Sequence, residues 1–246
     1  MPEGRRIVGV IGGMGPEATV DFFGKLVAAT PAERDQDHLR ILIDNDPGVP
    51  DRSAAIAGHG PSPAPRLAAM ARGLVAAGAE LLVMPCNTAH AYADAIVAAA
   101  PGTPFLSLVA ATVADARERR PGLARVGLLA TRGTLRARLY HDAFEAVGVA
   151  PLAPDEADQR LVDEVIAAVK GGRVGNAERA ALHAVAARLV EAGAELVVTA
   201  CTELPLVLRD GDLLGTDGPV PVVASTDALV ARTIAVACGR PDATAT

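Results

Sequence analysis

Two cysteines, Cys86 and Cys201, close the same thirteen-residue pattern at a constant offset of 115. Residues 74–86, LVAAGAELLVMPC, align without a gap with residues 189–201, LVEAGAELVVTAC, and nine positions are identical. In each copy a helix tail passes through an Ala-Gly turn into an apolar strand, and the thiol follows at the strand's C-terminal end. Open parallel sheets hold their ligands there. Two thiols so placed suit the inversion of a stereocentre, which needs a base on one face of a carbon and an acid on the other. Each thiol then serves one direction. An ordinary thiol is only a few per cent ionised at neutral pH, so helix N-termini after Cys86 and Cys201, with nearby cations, are expected to favour thiolate. Sulfurs at near-attack distance on both sides of one carbon would lie roughly 7 Å apart, too far for a disulfide. Cys238, inside ALVARTIAVAC, reads as a buried apolar residue.

The elements that must position these thiols follow from an alternation of apolar runs and helical stretches. RIVGVI precedes PEATVDFFGKLVAA, LRILI precedes a Pro-rich loop and RLAAMARGLVAAG, and ELLVM precedes TAHAYADAIVAAA. This is the pattern of an α/β parallel sheet with crossover helices. After PFLSL and a helix to Arg120 it restarts, and VGLLATRG at 126–133 echoes VGVIGGMG at 8–15 at an offset of 118. The chain therefore reads as a duplication: two similar parallel-sheet domains related by pseudo-twofold symmetry. The first is expected over 1–105 plus about 217–246 and the second over 106–216, with a final helix from about Ser225 to Cys238 packing on the first.

Bulk properties exclude several classes. Hydrophobic residues make up 50% of the chain, enough for a core, while aromatics make up 2% and the net charge is -6. Nucleic acid is thus not an expected partner, because neither stacking platforms nor a basic surface is available. No apolar run approaches a membrane span, and the short run after Arg5 and Arg6 meets GGMGP rather than a cleavage site, so no membrane partner and a cytoplasmic location are expected. Three cysteines fit a reducing compartment better than a disulfide framework.

Other chemistries explain less. A metal site could start from Cys86 and His90 at i, i+4 spacing, but His38, His59, His141 and His183 are scattered and no further ligand motif appears, so no metal is expected. A Cys–His hydrolase leaves one thiol idle. Gly13-Met14-Gly15-Pro16-Glu17-Ala18 fits a dinucleotide fingerprint, yet Pro16 sits inside it and Asp44 is about 30 residues on rather than about 20. A tight turn carrying Met14 beside the substrate, with Pro16 opening a helix, fits better.

Five stretches in order, GGMGPEAT at 12–19, DNDPGVPDR at 44–52, PCNTAH at 85–90, LLATRGT at 128–134 and ACTELP at 200–205, resemble the aspartate/glutamate racemase family, the aspartate racemase branch most closely. They span nearly the whole chain. The resemblance implies a cofactor-independent amino acid racemase that interconverts L- and D-aspartate, or glutamate, in a cleft between two α/β domains. Cys86 would take the proton from the D-enantiomer and Cys201 from the L-enantiomer. It also allows a homodimer, which no segment demands. A cis–trans isomerase or decarboxylase of a small dicarboxylate, and a carboxylate-binding protein without turnover, remain as alternatives.

An acidic amino acid presents two carboxylates, and the resemblance places Arg52 and Lys170 on them, Arg52 as a bidentate clamp. Lys170 stands out because the chain has two lysines against 21 arginines. A helix-end cation is its plainer role. Asn87, Thr88, Thr131 and Thr202 follow strand ends and can bind an α-carboxylate, cap helices, or do both. Glu203 could orient groups near Cys201, receive the substrate ammonium, or be a first-turn helix acid. Ala200, where the family usually has Gly, and Arg132 beside Thr131 could reshape substrate choice.

Overall fold

The computed structural model describes residues 4–216 and 218–239. Residues 1–3, 217 and 240–246, which belong to the expected ends of the first domain, lie outside the described residues. Contacts divide the chain into two compact units, Met1–Ala111 with Thr226–Thr246, and Thr112–Ser225.

In the first unit the elements run β1 (Val8–Gly12), α1 (Pro16–Ala29), β2 (Ile41–Asn45), α2 (Arg52–Ile56), α3 (Ala64–Ala76), β3 (Leu81–Val83), α4 (Ala93–Ala99), β4 (Phe105–Leu106) and the start of α5 (Leu108–Arg119). The second unit continues with β5 (Arg125–Ala130), α6 (Arg132–Arg136), α7 (Leu139–Glu145), β6 (Ala150–Leu152), α8 (Glu156–Lys170), α9 (Asn176–Glu191), β7 (Leu196–Ala200), β8 (Leu213–Gly215), β9 (Gly218–Val220) and β10 (Val222–Ala224). Helix α10 (Ser225–Ala237) returns the chain to the first unit.

The two main sheets have one topology. The first is ordered β2-β1-β3-β4 and the second β6-β5-β7-β10, all parallel. Central strands β1, β3 and β7 are buried along their whole length, which is why their sequences are unbroken apolar runs. The repeat offsets become strand register: Val8 pairs with Leu81 in the first sheet, and Val126, 118 residues on, pairs with Leu196, 115 residues on, in the second.

The identical residues of the repeat set that pairing. Helices α3 and α9 end in left-handed glycines, Gly78 at φ 101° and Gly193 at φ 99°. The next amide then bonds back to the helix, Ala79 N–H to the Leu74 carbonyl and Ala194 N–H to the Leu189 carbonyl, both at 2.9 Å. Glu80 and Glu195 fix the neighbouring strand's start, accepting from the Ile7 and Ala124 amides at 2.8 and 3.4 Å. Facing the turn are Gly9 and Gly127. A Cβ on Gly9 would stand 2.8 Å from the Ala79 Cβ and 3.3 Å from the Leu74 Cβ, and one on Gly127 would stand 3.3 Å from Ala194 and Leu189. Helix tail and strand meet with no room for a side chain.

Two expectations need correction. Strand β10 pairs with β7, so the second unit extends past residue 216 to Ser225. The antiparallel β8–β9 hairpin, in the stretch before β10, was not foreseen, because strands of three residues broken by Gly and Pro read as loop. Among the described residues no helix is long and apolar enough to cross a membrane.

Gly9→Ala is expected to lower the unfolding free energy by about 1–3 kcal/mol through overpacking. Gly127→Ala, with looser contacts, should cost less. Urea unfolding curves of the two variants against the parent check both the size and the order.

Candidate functional site

Each sheet reverses strand order between its first and third strands, and the chain places its polar residues on the loops there. In the first unit these loops are Gly12–Gly15 after β1 and Met84–Asn87 after β3. In the second they begin at Thr131 after β5 and Cys201 after β7.

The first loop is held by short-range contacts. Gly13 has φ 92°, and a Cβ there would run into the Asp46 backbone. Its amide donates to Thr19 Oγ1 at 2.9 Å, and Pro16 opens α1 as expected. Met14 is buried against the first unit's core, in the cluster that also contains Met84 and Cys86. Arg52 begins α2, capped by Asp51, which accepts from the Ala54 amide at 2.6 Å. Its Nη1 donates to the Val49 and Pro50 carbonyls at 3.3 and 3.2 Å, and its Nη2 to the Met14 carbonyl at 3.5 Å. Arg52 therefore ties the β2 loop to the β1 loop. These long contacts do not exhaust a guanidinium's five donors.

Cys86 is buried at 5% exposure, with Asn87, Thr88 and His90 buried beside it. The residues after it form a 3-10 turn, Thr88–Tyr92, and the α-helix starts only at Ala93. The helix N-terminus expected after the thiol is that of a 3-10 helix running into α4 rather than of an α-helix, and Asn87 makes no side-chain cap. His90 explains the turn. Leu108 N–H donates to its Nε2 at 3.0 Å, so the ring proton lies on Nδ1, 2.8 Å from the Cys86 carbonyl. Both ring nitrogens thus brace the thiol's backbone against the start of α5. Burial lowers the His90 pKa from 6.5 to about 4, so the ring is neutral near pH 7.

Cys201 is equally buried, and again a 3-10 turn follows, Leu204–Leu206, instead of an α-helix. Its thiol donates to Glu203 Oε2 at 2.9 Å, and Thr202 Oγ1 donates to the same oxygen at 3.1 Å. Lys170, the last residue of α8, places Nζ 3.9 Å from Glu203 Oε1. The expected thiolate is not the resting form. Burial, the Glu203 charge and the hydrogen bond to Glu203 push the Cys201 thiol well up, opposed in part by Lys170. Glu203 thus faces the thiol, Thr202 and Lys170 and is not a first-turn helix acid.

Thr131 caps α6, its Oγ1 accepting from the Thr134 amide at 3.1 Å. Ala200 is fully buried at the end of β7, paired with Ala130. Arg132 turns its guanidinium to Glu156 at 2.8 Å and Asp163 at 2.6 Å on α8, so its charge is already matched. Cys86, Cys201 and Cys238 all carry thiols rather than disulfides, and Cys238 is half-buried.

Two buried polar residues escaped the sequence reading. Gln159 Nε2 donates to the Ala130 carbonyl at 2.9 Å, behind Thr131. Its place one turn before Val162 and two before Ile166 on the buried face of α8 was the available clue. Tyr140, one of two tyrosines, is fully buried with its hydroxyl 3.3 Å from Thr112 Oγ1, and burial raises its pKa.

The family model Asp/Glu/Hydantoin racemase matches residues 11–233. Picrophilus torridus aspartate racemase is 31% identical, with a TM-score of 0.82 and 96% of each chain covered. The broad specificity amino-acid racemase RacX of Bacillus subtilis is 24% identical over 232 residues, 93% of this chain and 96% of that one. Glutamate racemase of Roseiflexus sp. is 34% identical over 143 residues, 57% of this chain and 50% of that one. The chain thus spans about half the length of this glutamate racemase and nearly all of RacX.

His90 has a lower pKa folded than unfolded, so below pH 6.5 the unfolded chain binds the extra proton and stability falls toward about pH 4. The loss should approach about 3 kcal/mol. His90→Gln should flatten that part of the profile, as urea midpoints between pH 7 and pH 4 would reveal.

Proposed function

We propose, from the premise that this chain belongs to the Asp/Glu/Hydantoin racemase family, that it is a cofactor-independent isomerase interconverting L- and D-aspartate. The observation that carries the reading is topological. Cys86 and Cys201 each follow the third strand of a sheet with the same strand order, at a switch point, flanked by buried hydroxyl and amide side chains. One sulfur, as thiolate, removes the Cα proton from one face, and the other, as thiol, delivers its own proton to the opposite face. The electron pair rests meanwhile on the carbanion, spread into the α-carboxylate.

Carboxylate recognition supplies that stabilisation. Arg52 and Lys170 provide cations, and Asn87, Thr88, Thr131 and Thr202 provide donors at strand ends. Met14 borders the reacting carbon as an apolar wall. Two carboxylates on the substrate match two cations, which favours aspartate or glutamate. The likeness to RacX along most of its length supports including other amino acids in the substrate panel.

Incubation of the purified protein with L-aspartate, without added cofactor, should yield D-aspartate resolved by chiral chromatography. Cys86→Ala and Cys201→Ala should each lower the rate by at least about 10³-fold, since removing either partner leaves one face unserved. Optical purity retained with aspartate, glutamate and a panel of neutral amino acids would overturn the reading.

A further inference from the structure

Burial poses a problem for Cys201 that the two-thiol scheme leaves open. In one direction this sulfur must act as base, yet ionising it to solvent would create a new charge on a residue that is only 5% exposed. The carboxylate of Glu203, a residue that is 7% exposed, lies 2.9 Å from the sulfur. We propose that Cys201 and Glu203 form a proton-sharing dyad in which Glu203 receives the Cys201 proton when the thiol must act as base and releases it to solvent once the thiol has been re-formed. The proposal rests on the racemase reading and adds to it where the proton goes.

The exchange balances. In the resting pair the S–H bond donates to the carboxylate, S–H···O⁻. Transfer breaks S–H and forms O–H, giving S⁻···H–O with the electron pair left on sulfur and the pair's charge unchanged at one negative. Because no net charge is created, burial penalises this step far less than ionisation to water. The thiolate then takes the Cα proton, which re-forms S–H. Glu203 keeps the proton it received until it releases it to solvent after product leaves.

The groups facing the dyad within its unit fit this role. Thr202 Oγ1 donates to the same Glu203 oxygen, steadying the carboxylate toward the sulfur. Lys170 Nζ lies 3.9 Å from the other oxygen of the carboxylate. Tyr140 interacts with the Cys201 charge and is itself held neutral by burial. The repeat sharpens the contrast, since the position 115 residues before Glu203 is Thr88. Glu203 acts through Cys201 and is a positioning residue with a proton function.

The test starts from Cys86→Ala/Cys238→Ala protein, in which Cys201 is the one thiol, with Glu203→Gln or Glu203→Asp added. Iodoacetamide alkylation against pH needs no substrate. Removing the carboxylate charge should move the alkylation profile down by about one pH unit, while Glu203→Asp should keep the parent's profile. Coincident profiles for the parent and Glu203→Gln overturn the dyad whatever the enzyme's substrate. In D2O the parent should exchange the Cα hydrogen of a single aspartate enantiomer with retention, and Glu203→Gln should slow this at least about tenfold at pH 7, Glu203→Asp restoring much of it. Exchange unaffected by Glu203→Gln would also overturn it.

Discussion

The close approach of strand one to the turn before strand three is the constraint on which the rest depends. Gly9 and Gly127 leave no volume between their strands and the Leu-Ala turn of the repeat, so each helix tail lies directly on the sheet. With the left-handed glycines Gly78 and Gly193 closing α3 and α9, this fixes the parallel register Val8–Leu81 and Val126–Leu196. Register then fixes where each third strand ends, and the thiol comes three residues beyond Val83 and one beyond Ala200. Apart from the two cysteines, the shared residues of the repeat are packing and capping residues, which place the chemistry without taking part in it.

The two thiols have similar burial and different neighbours. Cys86 has its backbone braced by a neutral histidine that is itself locked between two backbone groups. Cys201 has its sulfur against a carboxylate, which raises its proton affinity. A group used as acid in one direction and base in the other gains from a nearby site that can take its proton. The asymmetry lies in the residues just after the repeat, Asn87-Thr88 against Thr202-Glu203, where the two copies diverge.

Much of the fold was legible because it depends on period and punctuation. Helix α1 spans the segment Pro16–Ala29 that its pattern and Pro16 indicate, and the repeat offsets translate into register. What was not legible depends on local geometry. Asn87, Thr88 and Thr202 have the composition of helix caps, yet 3-10 turns follow both thiols, drawn tight at Cys86 by His90 bridging to Leu108 across the fold. The contact between Cys201 and Glu203 was invisible for the same reason, because residues two apart on an α-helix do not face each other and in this turn they do. Arg132 read as a cation for the site because Glu156 and Asp163, far along the chain, could not be seen beside it.

The central claim is that two thiols work on opposite faces of one carbon. Its most direct test is the isotopic content of both enantiomers at a few per cent conversion of protiated L-aspartate in D2O, read by chiral separation and mass spectrometry. The account predicts D-aspartate carrying essentially one deuterium, delivered by a thiol in exchange with solvent, while the remaining L-aspartate is still protiated. D-Aspartate that retains the substrate's own hydrogen at Cα would contradict it, since a single base would then have carried that hydrogen from one face to the other.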